Sequence, residues 1–212
     1  MGAMVDLSHP LSGSMPVYPG TPPPTFERAW TVDRDGFAER LLVMASHTGT
    51  HVDAPAHMIA GGATLDDIPL ERFAGPARVL DVSAFAGGSI PLEAVREAQE
   101  GRRGTRFLLL RTGWSRRWGS RAYFEGFPVL TAEAAGWLAR RPLWGVGVDA
   151  PSVDPVGSSD FAVHRLLLGS GKILVENLRG LEGLPEGRFT FSCLPLAIAG
   201  GDGSPVRAAA WF

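Results

Sequence analysis

Cysteine is nearly absent from this 212-residue sequence, where Cys193 is the only one. A single cysteine forms no disulfide within the chain, so the sequence does not require an oxidising compartment. The N-terminal segment also lacks the basic and apolar regions of a secretory signal peptide. We therefore expect a cytoplasmic protein.

Charge of one sign is not in excess either, since 20 Lys and Arg stand against 22 Asp and Glu and give a net charge of −2. Binding of nucleic acid by bulk charge requires a surplus of basic residues, so the composition excludes that class of protein. The sequence also contains no apolar run of the roughly 20 residues that a membrane span requires. We expect a soluble protein that has neither nucleic acid nor a membrane as partner.

Short apolar runs bounded by turn residues predict a mixed α/β fold. The predicted strands are 39–45, 77–82, 107–110, 143–148, 173–175 and 189–191. The predicted helices are 91–100, 131–140 and 161–168, and each begins near a residue typical of helix N-termini. The 27 Gly and 17 Pro are spread along the whole chain and mark no domain boundary, so we expect one domain covering residues 1–212.

Histidine is scarce and clustered. Three of the five histidines, His47, His51 and His57, lie within eleven residues of one another together with Asp53. Neutral imidazole and carboxylate are common ligands of divalent first-row metals, and the lack of a cysteine pair argues against a thiolate-built structural zinc site. The cluster therefore indicates a catalytic metal site, whereas His9, which stands apart, is expected to be an ordinary surface or core histidine.

The chain must bend within the cluster if these side chains are to reach one site. All four candidates have odd numbers, so an extended chain would place them on one face of a strand. A straight strand, however, would stretch residues 47–57 over roughly 33 Å, which is too long for one metal site. We predict bends at Gly49 and Pro55.

The segment 47–57, His-Thr-Gly-Thr-His-Val-Asp-Ala-Pro-Ala-His, closely resembles the signature His-x-Gly-Thr-His-x-Asp-x-Pro-x-His of the metal-dependent cyclase-like hydrolases. This family includes bacterial kynurenine formamidases and isatin hydrolases. Further segments that resemble family landmarks follow in the expected order at 111–113, 152–154, 176–178 and 194–208. The resemblance thus covers nearly the whole chain.

The resemblance implies a centre of two divalent ions per chain, zinc first and manganese as the alternative. It makes His47, His51 and Asp53 ligands of one metal, and Asp53 also reaches the second metal. The implied ligands that complete the second site are His164 and Glu176. From the residues alone, we would instead expect His164 to be a helix-surface residue and Glu176 an exposed carboxylate at a strand end.

The family pattern also implies a fold and an assembly. The expected fold is α/β, a single domain with a β-barrel-like core and flanking helices, of the swivelling β/β/α type. The expected assembly is a homodimer or larger homo-oligomer in which neighbouring subunits help to shape the pocket.

The activity that the resemblance implies is metal-dependent amide hydrolysis, with a metal-activated hydroxide as nucleophile and His57 as the acid–base residue. The leading substrate is a small aryl amide, N-formyl-L-kynurenine, which an arylformamidase converts to L-kynurenine and formate. One alternative is an isatin-type cyclic-amide hydrolase or another small amide or ester hydrolase of the same family. The alternative from another class is a non-catalytic metal-binding oligomeric scaffold.

An aromatic residue near the N-terminus is the candidate for substrate binding. Tyr18 lies in the segment where the formamidases carry a Trp that packs on the aryl substrate, although simple packing in a proline-rich turn is an equal alternative. Arg111 and Arg207 are candidates for a substrate carboxylate, with surface pairing as the stronger alternative. Other aromatic residues would line the pocket or belong to the core, namely Phe26, Trp30, Phe37, Trp114 and Phe127.

Overall fold

The structure is a computed structural model that describes residues 2, 4–99 and 103–212. The strands are β1 (Met4–Asp6), β2 (Thr25–Trp30), β3 (Glu39–Val43), β4 (His51–Asp53), β5 (Ala74–Asp81), β6 (Ser89–Ile90), β7 (Phe107–Arg111), β8 (Val129–Leu130), β9 (Gly145–Val148), β10 (Ile173–Glu176), β11 (Phe189–Ser192), β12 (Gly203–Pro205) and β13 (Ala209–Trp211). The α-helices are α1 (Val32–Asp35), α2 (Leu92–Gln99), α3 (Ala132–Ala139) and α4 (Ala162–Leu168).

Nine of these strands form one curled, half-barrel sheet in the order β1-β13-β11-β5-β7-β9-β10-β4-β12. The central strands β5, β7, β9 and β10 run parallel to one another, and the strands on both flanks pair antiparallel. This arrangement confirms the predicted α/β fold with a barrel-like core. Helices α2, α3 and α4 all pack into one hydrophobic cluster, so they cover one face of this part of the sheet.

Strand β7 shows why the centre of the sheet is apolar on both sides. Leu108 and Leu110 belong to the hydrophobic cluster that contains residues of helices α2, α3 and α4. Phe107 and Leu109 point to the other face and join a second cluster, with Phe191 and Val52. Each buried side chain of this size stabilises the fold by about 1.5–3 kcal/mol, so a polar substitution on either face of β7 is costly.

The elements predicted at the centre of the fold are confirmed within one or two residues at most ends. The strand predicted at 143–148 begins at Gly145, because the backbone amides of Trp144 and Gly145 both donate to Arg106 O before the ladder starts. The strand predicted at 39–45 ends at Val43. The helix predicted at 91–100 begins at Leu92, and its predicted end at Glu100 and Gly101 lies outside the described residues.

Strands β2 and β3 form a separate two-stranded hairpin rather than part of the large sheet. Every residue of β3 is exposed, including Leu41, Leu42 and Val43. Within the described ranges, no helix is long and apolar enough to cross a membrane.

Candidate active site

The histidine cluster bends at the two predicted positions. Gly49 adopts a positive φ of 66°, a conformation that strains residues with a side chain. A 3₁₀ turn begins at Pro55 and ends at His57. Between the two bends, β4 carries His51 and Asp53 in the sheet, where both are buried.

The register of the sheet brings the distant candidates to this point. Strand β4 pairs antiparallel with β10, and this pairing sets His51 directly opposite Glu176. Helix α4, which supplies His164, precedes β10 and packs against it. His164 and Glu176 are therefore a buried pair beside β4, not the exposed residues that the sequence alone would favour.

Two groups of ligand atoms meet at the carboxylate of Asp53. In the first group, His47 Nδ1 lies 2.7 Å and His51 Nε2 lies 3.2 Å from Asp53 Oδ1. In the second group, His164 Nε2 lies 4.0 Å from Asp53 Oδ2 and 3.3 Å from Glu176 Oε1. Within each group the ligand atoms all lie within 4.8 Å of one another.

These groups fit divalent metal ions. Three imidazoles and two carboxylates are the donor set of zinc and manganese sites. Asp53 Oδ2 is buried and has no hydrogen-bond partner, although an uncompensated buried carboxylate oxygen is costly. A cation between the two groups would satisfy that oxygen, and the five residues that would hold it are His47, His51, Asp53, His164 and Glu176.

The carboxylates of this site favour positive charge, and in the absence of a metal ion protonated histidines carry it. Burial lowers the pKa of His47, but its hydrogen bonds to Asp53 and Asp202 outweigh that effect and raise its pKa to about 9. For His164, burial is likewise outweighed by Asp154 and Glu176, and its pKa rises to about 10. Burial raises the pKa of Asp53, yet His51 and His47 hold it well below the usual range.

His57 differs from the other three imidazoles. Its ring stacks on that of His47 with centroids 3.8 Å apart and lines the pocket above the carboxylates. It makes no short contact to a carboxylate, since the nearest ion-pair distance joins His57 Nδ1 to Asp202 Oδ2 at 3.9 Å. Burial lowers the pKa of His57, so the ring is neutral at pH 7 and able to accept a proton.

Each of the three imidazoles in the ligand groups also makes a contact through its second ring nitrogen. His47 Nε2 donates to Asp202 at 2.9 Å, and His164 Nδ1 donates to Asp154 at 2.7 Å. His51 Nδ1 lies 2.9 Å from the carbonyl oxygen of Gly49. Such outer acceptors fix the orientation of metal-ligating histidines. The sequence analysis did not assign Asp154 and Asp202, although Asp154 lies in a landmark segment and glycines flank Asp202.

Asn177 connects Gly49 and Tyr123 through hydrogen bonds of its side chain. It has a positive φ of 57°, which Asn tolerates better than most residues. Its side-chain nitrogen Nδ2 donates to Gly49 O at 2.9 Å, and its side-chain oxygen Oδ1 accepts from Tyr123 Oη at 2.7 Å. The carbonyl that orients His51 is thereby held by a buried network, and this role was missed because nothing local in the sequence shows it.

A pocket of about 270 Å³ opens above the cluster. Tyr18 lines it, packed edge-on against Phe124 at a centroid distance of 6.2 Å. Phe161 and Met58 complete much of the apolar wall. The histidines of the candidate metal groups line the same pocket, which gives a planar substrate a place beside them.

Several predicted pocket residues lie elsewhere. Trp114 and Phe127 belong to the core, as the alternative interpretation held. Phe26, Trp30 and Phe37 lie on the β2–β3 hairpin or between its strands, and none of the three lines the pocket. The pocket instead uses Phe124 and Phe161, which the sequence analysis did not consider.

The two candidate arginines also lie outside the pocket. Arg111 pairs with Asp81, and Arg207 pairs with Asp6 through two hydrogen bonds of 2.8 Å. The His9 ring stacks on Trp118 with ring centroids 3.9 Å apart, and the backbone amide of His9 donates to Thr50 Oγ1. The two arginines therefore form ion pairs and His9 packs against an aromatic ring, as the alternative interpretations held.

Comparisons with known proteins agree with this geometry. The family described as "Putative cyclase" matches residues 5–155. A kynurenine formamidase of Bacillus cereus is 35% identical over 206 residues, which are 96% of this chain and 95% of that protein. The chain belongs to this cyclase family of metal-dependent hydrolases.

Solved structures of other proteins also resemble this chain. Isatin hydrolase A from Labrenzia aggregata, bound to benzyl benzoate, matches with a TM-score of 0.88 and 29% identity over 99% of this chain and 93% of its own. A "predicted metal-dependent hydrolase" from Bacillus stearothermophilus matches with a TM-score of 0.82 and 30% identity over 100% and 98% of the two chains. The relatives are thus named as a kynurenine formamidase, an isatin hydrolase and a metal-dependent hydrolase, and their chains correspond to this one over nearly its whole length.

Proposed function

We propose that this protein is a metal-dependent arylformamidase that hydrolyses N-formyl-L-kynurenine to L-kynurenine and formate. The observation that carries the proposal is the pair of ligand groups sharing Asp53 beneath a pocket lined by Tyr18 and Phe124. The 35% identity to a kynurenine formamidase over 96% of the chain supports the same substrate.

The proposed centre holds two divalent ions per chain, zinc with manganese as the alternative. His47, His51 and Asp53 hold one ion, and Asp53, His164 and Glu176 hold the other. Ions held there would lower the pKa of a bound water and polarise the carbonyl of the amide, which would make hydrolysis possible at neutral pH.

His57 is the proposed acid–base residue. Its ring is neutral at pH 7, lines the pocket and lies next to the ligand groups without belonging to either of the groups at Asp53. In hydrolysis of a formamide the carbon–nitrogen bond breaks, and the leaving amine must gain a proton. A neutral imidazole takes a proton from the attacking water and returns it to that nitrogen, so that His57 ends the cycle in its starting state.

The aryl ring of the substrate is proposed to lie against Tyr18 and Phe124. The two rings meet edge-on and both form part of the wall of a pocket of about 270 Å³. Burial raises the pKa of Tyr18, with a contribution from the charge of Glu176, so the hydroxyl stays protonated at neutral pH. Tyr18 then offers both a ring face and a hydrogen-bond donor.

One observation favours a second candidate, an isatin-type cyclic-amide hydrolase. None of the described residues that line the pocket is Lys or Arg. N-formylkynurenine carries a carboxylate that this wall leaves unpaired, whereas a neutral lactam has no such group. The fold match to isatin hydrolase A supports this candidate as well.

A homodimer or larger homo-oligomer is the proposed assembly. The chain exposes 10,543 Å², whereas a compact monomer of 22.6 kDa exposes about 9,500 Å². The excess is comparable to the roughly 800 Å² that each partner buries in a standard interface. The apolar residues Leu41, Leu42 and Val43 of the projecting hairpin are exposed and supply the surface for a second copy.

The proposal of a cytoplasmic location rests on the free thiol of Cys193. Its thiol is free and buried, and burial raises its pKa. The fold thus uses the residue as a small apolar side chain and draws nothing from oxidation.

The test compares N-formylkynurenine and isatin as substrates of the metal-loaded protein. Release of formate from N-formylkynurenine at the higher kcat/KM supports the arylformamidase. Opening of isatin at the higher kcat/KM would replace it with the cyclic-amide hydrolase. Stoichiometric metal with no turnover of any small amide or ester would favour the non-catalytic scaffold.

A further inference from the structure

The three imidazoles of the ligand groups follow one pattern. Each turns one ring nitrogen toward Asp53 or Glu176, as the distances from His47, His51 and His164 show. Each places its other nitrogen against a separate acceptor, and for His47 that acceptor is the carboxylate of Asp202. A ring fixed at one nitrogen presents the other in a defined direction.

The backbone holds Asp202 firmly where it meets His47. Its carbonyl oxygen accepts a hydrogen bond from the amide of Ala54 at 2.9 Å. The next residue, Gly203, begins β12 and pairs with Asp53 in the register of the sheet. Asp202 is thereby anchored to the same strand that carries the ligands, although its side chain remains half-exposed.

Gly203 makes room for the ring that Asp202 holds. A Cβ built on Gly203 would lie only 2.4 Å from Cε1 of His47, so any side chain there would displace the ring. His47 is thus packed against one residue of this turn and hydrogen-bonded to the residue before it. Together these two contacts hold the His47 ring in one orientation.

We propose that Asp202 is a positioning residue that holds His47 through Nε2 so that Nδ1 faces the metal centre. Once Nδ1 has lost its proton, its lone pair is directed toward Asp53, while Nε2 keeps its proton and donates it to Asp202. The carboxylate also makes the ring more basic and therefore a stronger ligand. The inference rests on the proposed function, because it requires His47 to ligate a metal.

The orientation of His47 has a consequence for His57. The two rings stack with centroids 3.8 Å apart, and His57 Nδ1 lies 3.9 Å from the same Asp202 carboxylate. One side chain therefore borders both the ligand and the acid–base residue. A displaced His47 would remove the surface on which His57 rests.

The test measures metal affinity without substrate, by competition with a chromogenic zinc chelator. The variants are Asp202→Ala and Asp202→Asn, with Asp66→Asn as the matched control. Asp66 accepts from the amide of Gly200 at 3.0 Å and so anchors the same loop, but it does not contact a histidine. Thermal melts of the metal-free proteins report folding, and Asp202→Asn carries the test should Asp202→Ala not fold.

We expect Asp202→Ala to weaken zinc binding by about 10- to 100-fold. Asp202→Asn keeps an acceptor for Nε2 but not the charge, so we expect a smaller loss, and Asp66→Asn should match the wild type. Equal affinity of Asp202→Ala and the wild type would overturn the inference, as would an equal loss in Asp66→Asn.

Metal content at saturation separates positioning from ligation. Asp202→Ala should still bind as many ions per chain as the wild type once zinc is in excess. Loss of a whole equivalent would make Asp202 itself a ligand and overturn the positioning role. A wild-type protein that binds no metal would instead remove the proposed function, an outcome distinct from unaffected binding in the Asp202 variants.

Discussion

His164 Nε2 lies 3.3 Å from Glu176 Oε1, and both side chains are buried. One residue is on helix α4 and the other ends strand β10, so their contact exists only because α4 packs back on the sheet. The pair completes the second ligand group at Asp53. Its position gives the protein a centre in which one carboxylate is shared between two sets of ligands.

Replacement of His57 by Ala tests the acid–base role. We expect turnover to fall by about 10²- to 10⁴-fold, since general acid–base catalysis contributes that much. Metal content should stay close to that of the wild type, because His57 is not part of either group at Asp53. Elemental analysis and steady-state kinetics on the same preparation check both points, and loss of metal would move His57 into the ligand shell.

Replacement of His51 by Ala tests the ligand set. We expect reduced bound metal and a lower melting temperature in the presence of metal, because a ligand that binds the native state stabilises it. His9→Ala is the matched control, since the His9 ring stacks on Trp118 and belongs to neither ligand group. A His51→Ala protein with full metal content and full activity would contradict the assigned site.

The metal-free protein should lose stability as pH rises. The folded-state pKa values of His47 and His164 are raised to about 9 and about 10, above the value of about 6.5 for an unfolded histidine. Their contribution is complete below pH 6.5 and is lost as pH rises through the folded pKa values. Melting temperatures between pH 7 and 9.5 should therefore fall.

The metal-loaded protein is the control for this pH effect. Its ligand imidazoles have already given up their protons, so its melting temperature should change less over the same range. Identical slopes for the metal-free and the loaded protein would show that the cluster does not carry the effect.

Tyr123→Phe tests the buried network behind His51. The variant leaves the side-chain oxygen of Asn177 without its donor, and an unsatisfied buried acceptor costs about 1–3 kcal/mol. We expect that loss in the free energy of unfolding, measured with urea, while metal stays bound. Tyr18→Phe removes a hydroxyl from a partly exposed ring and should cost less. An unchanged free energy for Tyr123→Phe would contradict the role of the network.

Local patterns predicted much of the fold and part of the site. The apolar run of β7 predicts a strand buried on both faces, and the spacing of His47, His51 and His57 predicts a bent metal-binding segment. The family resemblance added His164 and Glu176. These two need the pairing of β4 with β10 and the packing of α4, which are long-range features that no local pattern encodes.

The missed residues share a physical reason. Asp154, Asn177 and Asp202 act through hydrogen bonds to residues far away in sequence or to the backbone, so their types alone carry no signal. The choice of aromatic residues that line the pocket stayed open for a related reason. Trp30 and Phe37 stack on each other at the hairpin, and only the position of that hairpin in the fold decides that they do not line the pocket.

The most direct test titrates metal-free protein with zinc and, separately, manganese while formate release from N-formylkynurenine is followed. The account predicts no turnover without metal, a rise with added metal and a plateau at two equivalents per chain. Full turnover by the metal-free protein, or no turnover of this substrate at any metal content, would contradict it.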